Sequence, residues 1–162
     1  MITAIVIPAD LTKPLALQEI EASDVDSYRS LVGGHLEVVA FQRPAAYLYI
    51  NEEGQALDLP LNLRATLLAW VHNSAFRGND WLVGDAVLVG AVKHGEDLSV
   101  PEEYVTLLLK AQRFRVAVQA YGDEQWYAND AVFDAVFAAY IAAADLAQRW
   151  TQVAELMVVV ND

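Results

Sequence analysis

The apolar residues of this chain fall in runs that suit only strands and modest helices. Ile2 to Ile7 is a β-branched run closed by Pro8, and the longest uncharged apolar stretch, Ala135 to Ala144, lies between Asp134 and Asp145. A membrane-crossing helix needs about 20 apolar residues, so the pattern predicts a soluble chain of short elements.

Leu15 to Ile20, His35 to Phe41 and Ala45 to Ile50 read as further strands, with Asn51-Glu52-Glu53-Gly54 as the turn after the last. Ser23 is placed to cap a short helix from Asp24 to Leu31, which Gly33-Gly34 ends. Asn62 caps the next helix, whose Leu63, Leu67, Trp70 and Val71 share one face. Phe76-Arg77-Gly78-Asn79-Asp80 breaks it, and Trp81 to Val92 reads as a strand pair bent at Gly84-Asp85. Ser99-Val100-Pro101-Glu102 has capping-box spacing for a helix that runs to about Leu109 or Lys110.

After Lys110 the composition changes. Phe114 to Val118 reads as a strand, Asn129 to Trp150 as an alanine-rich helix and Val153 to Val160 as a closing strand. The expected fold class is α+β. Residues 1–110 would form a mixed, mostly antiparallel sheet with short helices, and residues 111–162 a strand–helix–strand appendage.

Charge and composition remove several function classes. Of 162 residues, 22 are acidic and 10 basic, a formal net charge of −12. Both parts share the excess, with 15 acids and 7 bases in residues 1–110 against 7 and 3 in residues 111–162. Such a balance argues against direct nucleic-acid binding, which needs a basic footprint. No cysteine is present, which removes disulfides, thiolate metal sites and cysteine nucleophiles. Met1 to Pro8 lacks a basic n-region, and the cytoplasm is the expected location, with no membrane partner.

Side chains able to do chemistry form no local constellation. His35, His72 and His94 lack H-E-x-x-H spacing, and the zinc-deaminase pattern suggested by His35-x-Glu37 needs cysteines. Neither a G-x-S-x-G elbow nor a phosphate loop occurs. Glu52-Glu53, Glu96-Asp97 and Glu102-Glu103 read as solvated charge. The expectation is therefore no enzyme, no metal and no cofactor.

The binding candidates are aromatic. Trp70, Phe76, Arg77 and Trp81 flank the break after the second helix, with the composition of an interface hot spot. The competing reading places both tryptophans in the core. Trp126 and Tyr127 either stack on a ligand or pin the helix that follows.

Four phrases, in order and spacing, resemble the domain-of-unknown-function 3846 family over about residues 1–105. They are Leu31-Val32-Gly33-Gly34-His35-Leu36-Glu37-Val38-Val39, Asn51-Glu52-Glu53-Gly54, Leu59-Pro60-Leu61-Asn62 with Ala65-Thr66, and Gly84-Asp85-Ala86-Val87-Leu88-Val89-Gly90. The family is frequent in bacteriophages, plasmids and other mobile elements, and the resemblance implies an origin there. The chain departs from the family pattern in two places. It inserts residues around Trp70 to Asp80, and its tail after Lys110 lies outside the family domain. Trp126-Tyr127-Ala128-Asn129 and Ala147-Gln148-Arg149-Trp150 of that tail are similar to a small module of actinobacterial phage proteins.

These readings predict a non-enzymatic phage or mobile-element accessory protein that binds a host protein, in host takeover or counter-defence. One alternative is a small-ligand binder, such as one for a nucleotide signal, which requires Arg77, Arg113, Arg115 and Arg149 to converge. Another is a DNA-mimic inhibitor, which requires the acids to line one face. In the tail, Val132, Phe133, Val136, Phe137, Tyr140 and Ile141 exceed the single stripe of a surface helix. The main lobe or a second copy must cover them, the latter giving a homodimer through Asn129 to Trp150.

Overall fold

Alternation of apolar side chains builds the larger sheet in the computed structural model, which describes residues 1–22 and 24–162. Strands β1 (Ile2–Ile7), β2 (Ala16–Ile20), β3 (Leu36–Phe41), β4 (Ala46–Asn51) and β5 (Ala86–Gly90) pair antiparallel in the order β2-β1-β5-β4-β3. In β4, Ala46, Leu48 and Ile50 point into the main core, while Tyr47 and Tyr49 point to the opposite face. Central β5 is buried on both faces, which is why it reads as a continuous apolar run. Strands β6 (Phe114–Ala120), β7 (Tyr127–Ala128) and β8 (Val153–Val160) form a second antiparallel sheet, ordered β7-β6-β8.

Helices fill the space between and around the sheets. Helix α1 (Val25–Val32) covers one face of the larger sheet, setting Tyr28 and Val32 against Ala4, Ile20, Val87 and Val89. Helices α2 (Leu63–His72), α3 (Glu102–Val105, continued by a π-helical turn over Thr106–Lys110) and α4 (Val136–Arg149) lie on the other. Helix α4 packs on α2 and on β6 and β8, so one continuous core runs through both sheets. Leu48 and Leu88 of the larger sheet, Leu68 of α2, Tyr104 of α3, Tyr140 of α4 and Leu156 of β8 all belong to it. The α+β class is as the sequence predicts. No helix among the described residues is long and apolar enough to cross a membrane.

Four local expectations change. Helix α4 begins at Val136 rather than Asn129, because Phe133 exchanges both backbone hydrogen bonds with Phe114, each 2.8 Å, and is drawn into an extended bridge. Trp81 to Val92 supplies one strand, not a pair. Gly84, at φ 78°, turns the chain, and Val83 bridges Leu61 instead. Ser99 does not cap α3. Its Oγ accepts the Thr3 N–H at 2.9 Å, and Pro101 stands at the N-cap without a side-chain bond. Ser23 lies outside the described residues, and Asp24 caps α1, its carboxylate accepting from the Asp26 and Ser27 N–H groups.

Of the residues on which the homodimer expectation rests, Tyr140 is buried within the chain, Phe133, Val136 and Phe137 are partly buried, and Val132 and Ile141 are exposed. Ala139, Tyr140, Ala143 and Ala144 are buried against α2 and the second sheet, and Ile141 remains on the outer side.

Candidate binding surface

The phrases that carry the family resemblance meet at two buried asparagines, Asn62 and Asn51. Asn62 Nδ2 donates to the carbonyls of Ile7 and Gly84, each at 2.9 Å, while its Oδ1 accepts from the Ala65 N–H at the start of α2. The Gly84 N–H donates to Pro60 O at 2.8 Å, and Asp85 Oδ1 accepts from the Ala9 N–H. Thr66 Oγ1 donates to Asn62 O and accepts from the Leu82 N–H. Asn51, also buried, ties the end of α1 to its own turn through Val32 O and the Glu53 N–H. These groups are fully used in holding turns together, so the shared phrases specify fold.

The stretch that follows α2 touches the tail. Arg77 donates to Ala154 O at 3.0 Å and to Val153 O at 3.4 Å, both on β8. Ser74 Oγ donates to Glu155 Oε1 at 3.2 Å. Residues 74–77 are thereby fastened to the tail.

Here the hot-spot candidates separate. Trp70 is buried, 7% exposed, with its indole N–H donating to Asp80 O at 2.8 Å. It corrects the surface reading: its place on the Leu63–Leu67–Trp70–Val71 face puts it in the core. Trp81 stands edge-on to it, ring centroids 4.9 Å apart, and is 51% exposed. Leu63, Leu67, Trp70, Trp81, Ile141 and Ala144 line a groove of 410 Å³ between α2 and α4. On the other side of Trp81, a smaller hollow of 240 Å³ is lined by Glu37, Glu52, Asp80 and Phe76 among others. Trp81 thus divides an apolar groove from an acidic hollow. Phe76 packs partly buried against the core, and Arg77 is taken up by β8.

Trp126 and Tyr127 sit elsewhere. The Arg43 guanidinium lies 5.5 Å from the Trp126 ring centroid, and Tyr127 Oη donates to Asp123 Oδ2 at 3.0 Å. Trp126 thus meets the turn before β4, while Tyr127 is half-exposed and bonded within its own loop. Three of the four arginines of the small-ligand reading, which also named Arg113, have separate partners: Arg77 on β8, Arg115 on Asn129 O and Arg149 on Asp145.

A second cluster had no signature in the sequence. His72, at the end of α2, is buried, with Nδ1 3.0 Å from Gln42 O and Nε2 2.7 Å from Tyr140 Oη. A carbonyl only accepts, so Nδ1 carries the proton and Tyr140 donates to Nε2. Tyr104 Oη, 3.3 Å from Nδ1, donates to Pro44 O at 2.6 Å. Burial holds the imidazole neutral, its pKa lowered to about 4, and pushes both tyrosine hydroxyls upward. Beside them Arg43, in the left-handed region at φ 58°, pairs with Glu155 at 2.9 Å. Each partner comes from a different element, so only the placement of an apolar-faced His at the C-terminus of α2 hinted at the cluster. Among the described residues, no group of three or more His, Asp or Glu is arranged to hold a metal ion.

A family model described as a domain of unknown function, DUF3846, matches residues 2–113. No curated protein and no solved structure matches the chain. The match covers the larger sheet, α1, α2, α3 and the Asn62 hub, and so the chain belongs to the DUF3846 family.

Proposed function

We propose that this protein works by binding another protein, without chemistry of its own, through the groove beside Trp81. One observation carries the reading: a half-exposed tryptophan, backed by a buried one, stands between an apolar groove and an acidic hollow. Exposed aromatic anchors in a pocket are where binding energy concentrates. A groove between two helices suits the apolar face of an amphipathic helix. Glu37, Glu52 and Asp80 select a lysine or arginine on that helix, in keeping with the net charge of −12. The partner is therefore a basic amphipathic helix of a host protein. The setting we propose is the host cytoplasm, in the accessory role that the family's frequency in phages and mobile elements implies. The dispersed arginines lend no support to the nucleotide-signal alternative.

Site-specific photo-crosslinking in the host cell tests this. A benzophenone side chain at Ile141, on the groove, should give one defined protein adduct, and the same group at exposed Tyr121 should not. Trp81→Ala should abolish the Ile141 adduct while the protein stays folded. No adduct, or adducts that persist in the Trp81 variant, would overturn the reading.

A further inference from the structure

We propose that the outer edge of β8 is a second docking site, one that takes an extended segment of a partner protein as an added strand. The edge can be read residue by residue. In an antiparallel ladder, bonded and non-bonded pairs alternate. Phe114 spends both its backbone groups on Phe133, so its pairing with Val160 is a non-bonded one. On the other side of that pair, the Asn161 N–H donates to Arg113 O at 2.8 Å. Val159 and Met157 therefore bond to β6, and Leu156, Val158 and Val160 turn their N–H and C=O groups outward. Two side chains agree independently with this assignment. Arg77 caps Ala154 O at 3.0 Å, and Arg43 reaches Leu156 O at 3.4 Å.

These arginines blunt only the first half of the edge, a usual protection for exposed strands. Beyond Leu156, the outward groups of Val158 and Val160 meet no hydrogen-bond partner among the described residues. Val158 is only 4% exposed, and unpartnered buried backbone groups are costly. They face a cavity of 460 Å³ whose β8 wall is Met157 to Val160 and whose far wall includes Pro44, Tyr104 and Leu107.

The occupant follows from this geometry. Two outward donor–acceptor pairs on alternate residues repeat every roughly 7 Å, the two-residue rise of a strand, and extended backbone matches that repeat. Apolar walls take alternate apolar side chains, and exposed Glu103 at the margin, on a chain of net charge −12, favours a basic residue beside them. The far wall, formed by α3 and the turn at Pro44, confines the edge to a crevice. A single strand fits there, whereas a second copy would bring a whole sheet and its own wall. The site is separate from the Trp81 groove and does not rest on it.

Fluorescence anisotropy with a labelled nine-residue peptide of alternating valine and lysine tests the proposal on the full chain. A control peptide carries N-methyl groups on its valine amides and another on its lysine amides, leaving charge and side chains unchanged. Saturable binding is expected, weakened at least tenfold by one of the two methylation patterns. Val160→Pro removes an outward N–H without breaking a ladder bond to β6 and should weaken binding to the same degree. Trp81→Ala should leave it unchanged. Three results would overturn the proposal: no saturable binding at millimolar peptide, equal affinity for all three peptides, or sedimentation showing a dimer that Val160→Pro dissociates. The peptide controls use the native chain, so they decide the matter even if the proline variant does not fold.

Discussion

His72 is neutral because burial outweighs the help a charged imidazole would get from the Gln42 carbonyl, and its pKa falls to about 4. The unfolded imidazole titrates near 6.5, so as pH falls the unfolded state takes up the proton first. Stability from this residue is whole above pH ~6.5 and is lost as pH falls toward ~4, a span of about 3 kcal/mol. Urea unfolding followed from pH 7.5 to 4 should show this loss in the native chain and a flatter profile in His72→Gln. Equal slopes would mean that the imidazole is hydrated in the fold. The sequence makes the core reading of Trp70 available, since its helical face is already apolar. Nothing local predicts that His72 meets Tyr104 and Tyr140, which lie 32 and 68 residues away in the chain.

At the scale of the element, strands were legible where apolar runs meet a breaker, as β1 does at Pro8 and β4 at Asn51, or where apolar residues recur along a short run, as in β2. Caps and ends were less so, because a distant group competes for them. The Thr3 N–H takes the Ser99 hydroxyl, and Phe114 takes the backbone of Phe133. Two glycines separate conformational need from close packing. Gly78 and Gly84 both have positive φ, at 76° and 78°, but a Cβ on Gly78 meets nothing within 4 Å, while on Gly84 it lies 2.8 Å from Leu59 Cδ1. Gly78→Ala should cost about 1–2 kcal/mol, the left-handed penalty alone. Gly84→Ala should cost more, because Leu59 and the Asn62 hub must shift as well. Thermal denaturation of the two variants side by side measures the difference, and equal losses would show that the hub yields freely.

At the scale of the molecule, the family match ends at residue 113, yet the core does not. Tyr140 lies under His72, Arg43 of the turn before β4 holds Glu155 of β8, and Arg77 is fastened to the same strand. The sequence marks the change of composition after Lys110, but an appendage and an integrated second layer share the same strand–helix–strand pattern. What separates them is which faces meet, and that depends on long-range packing. Both proposed docking surfaces depend on this seam: the Trp81 groove needs α4 seated on α2, and the β8 crevice needs α3 as its far wall. Family domain and tail therefore open and close as one body. Native-state hydrogen exchange across a series of low urea concentrations measures this. Amides of β4 and β5 and the ladder amides of β6 and β8 should converge on one opening free energy with one urea dependence. Protection in β6 and β8 lost several kcal/mol below that of β4 and β5 would show that the tail opens by itself.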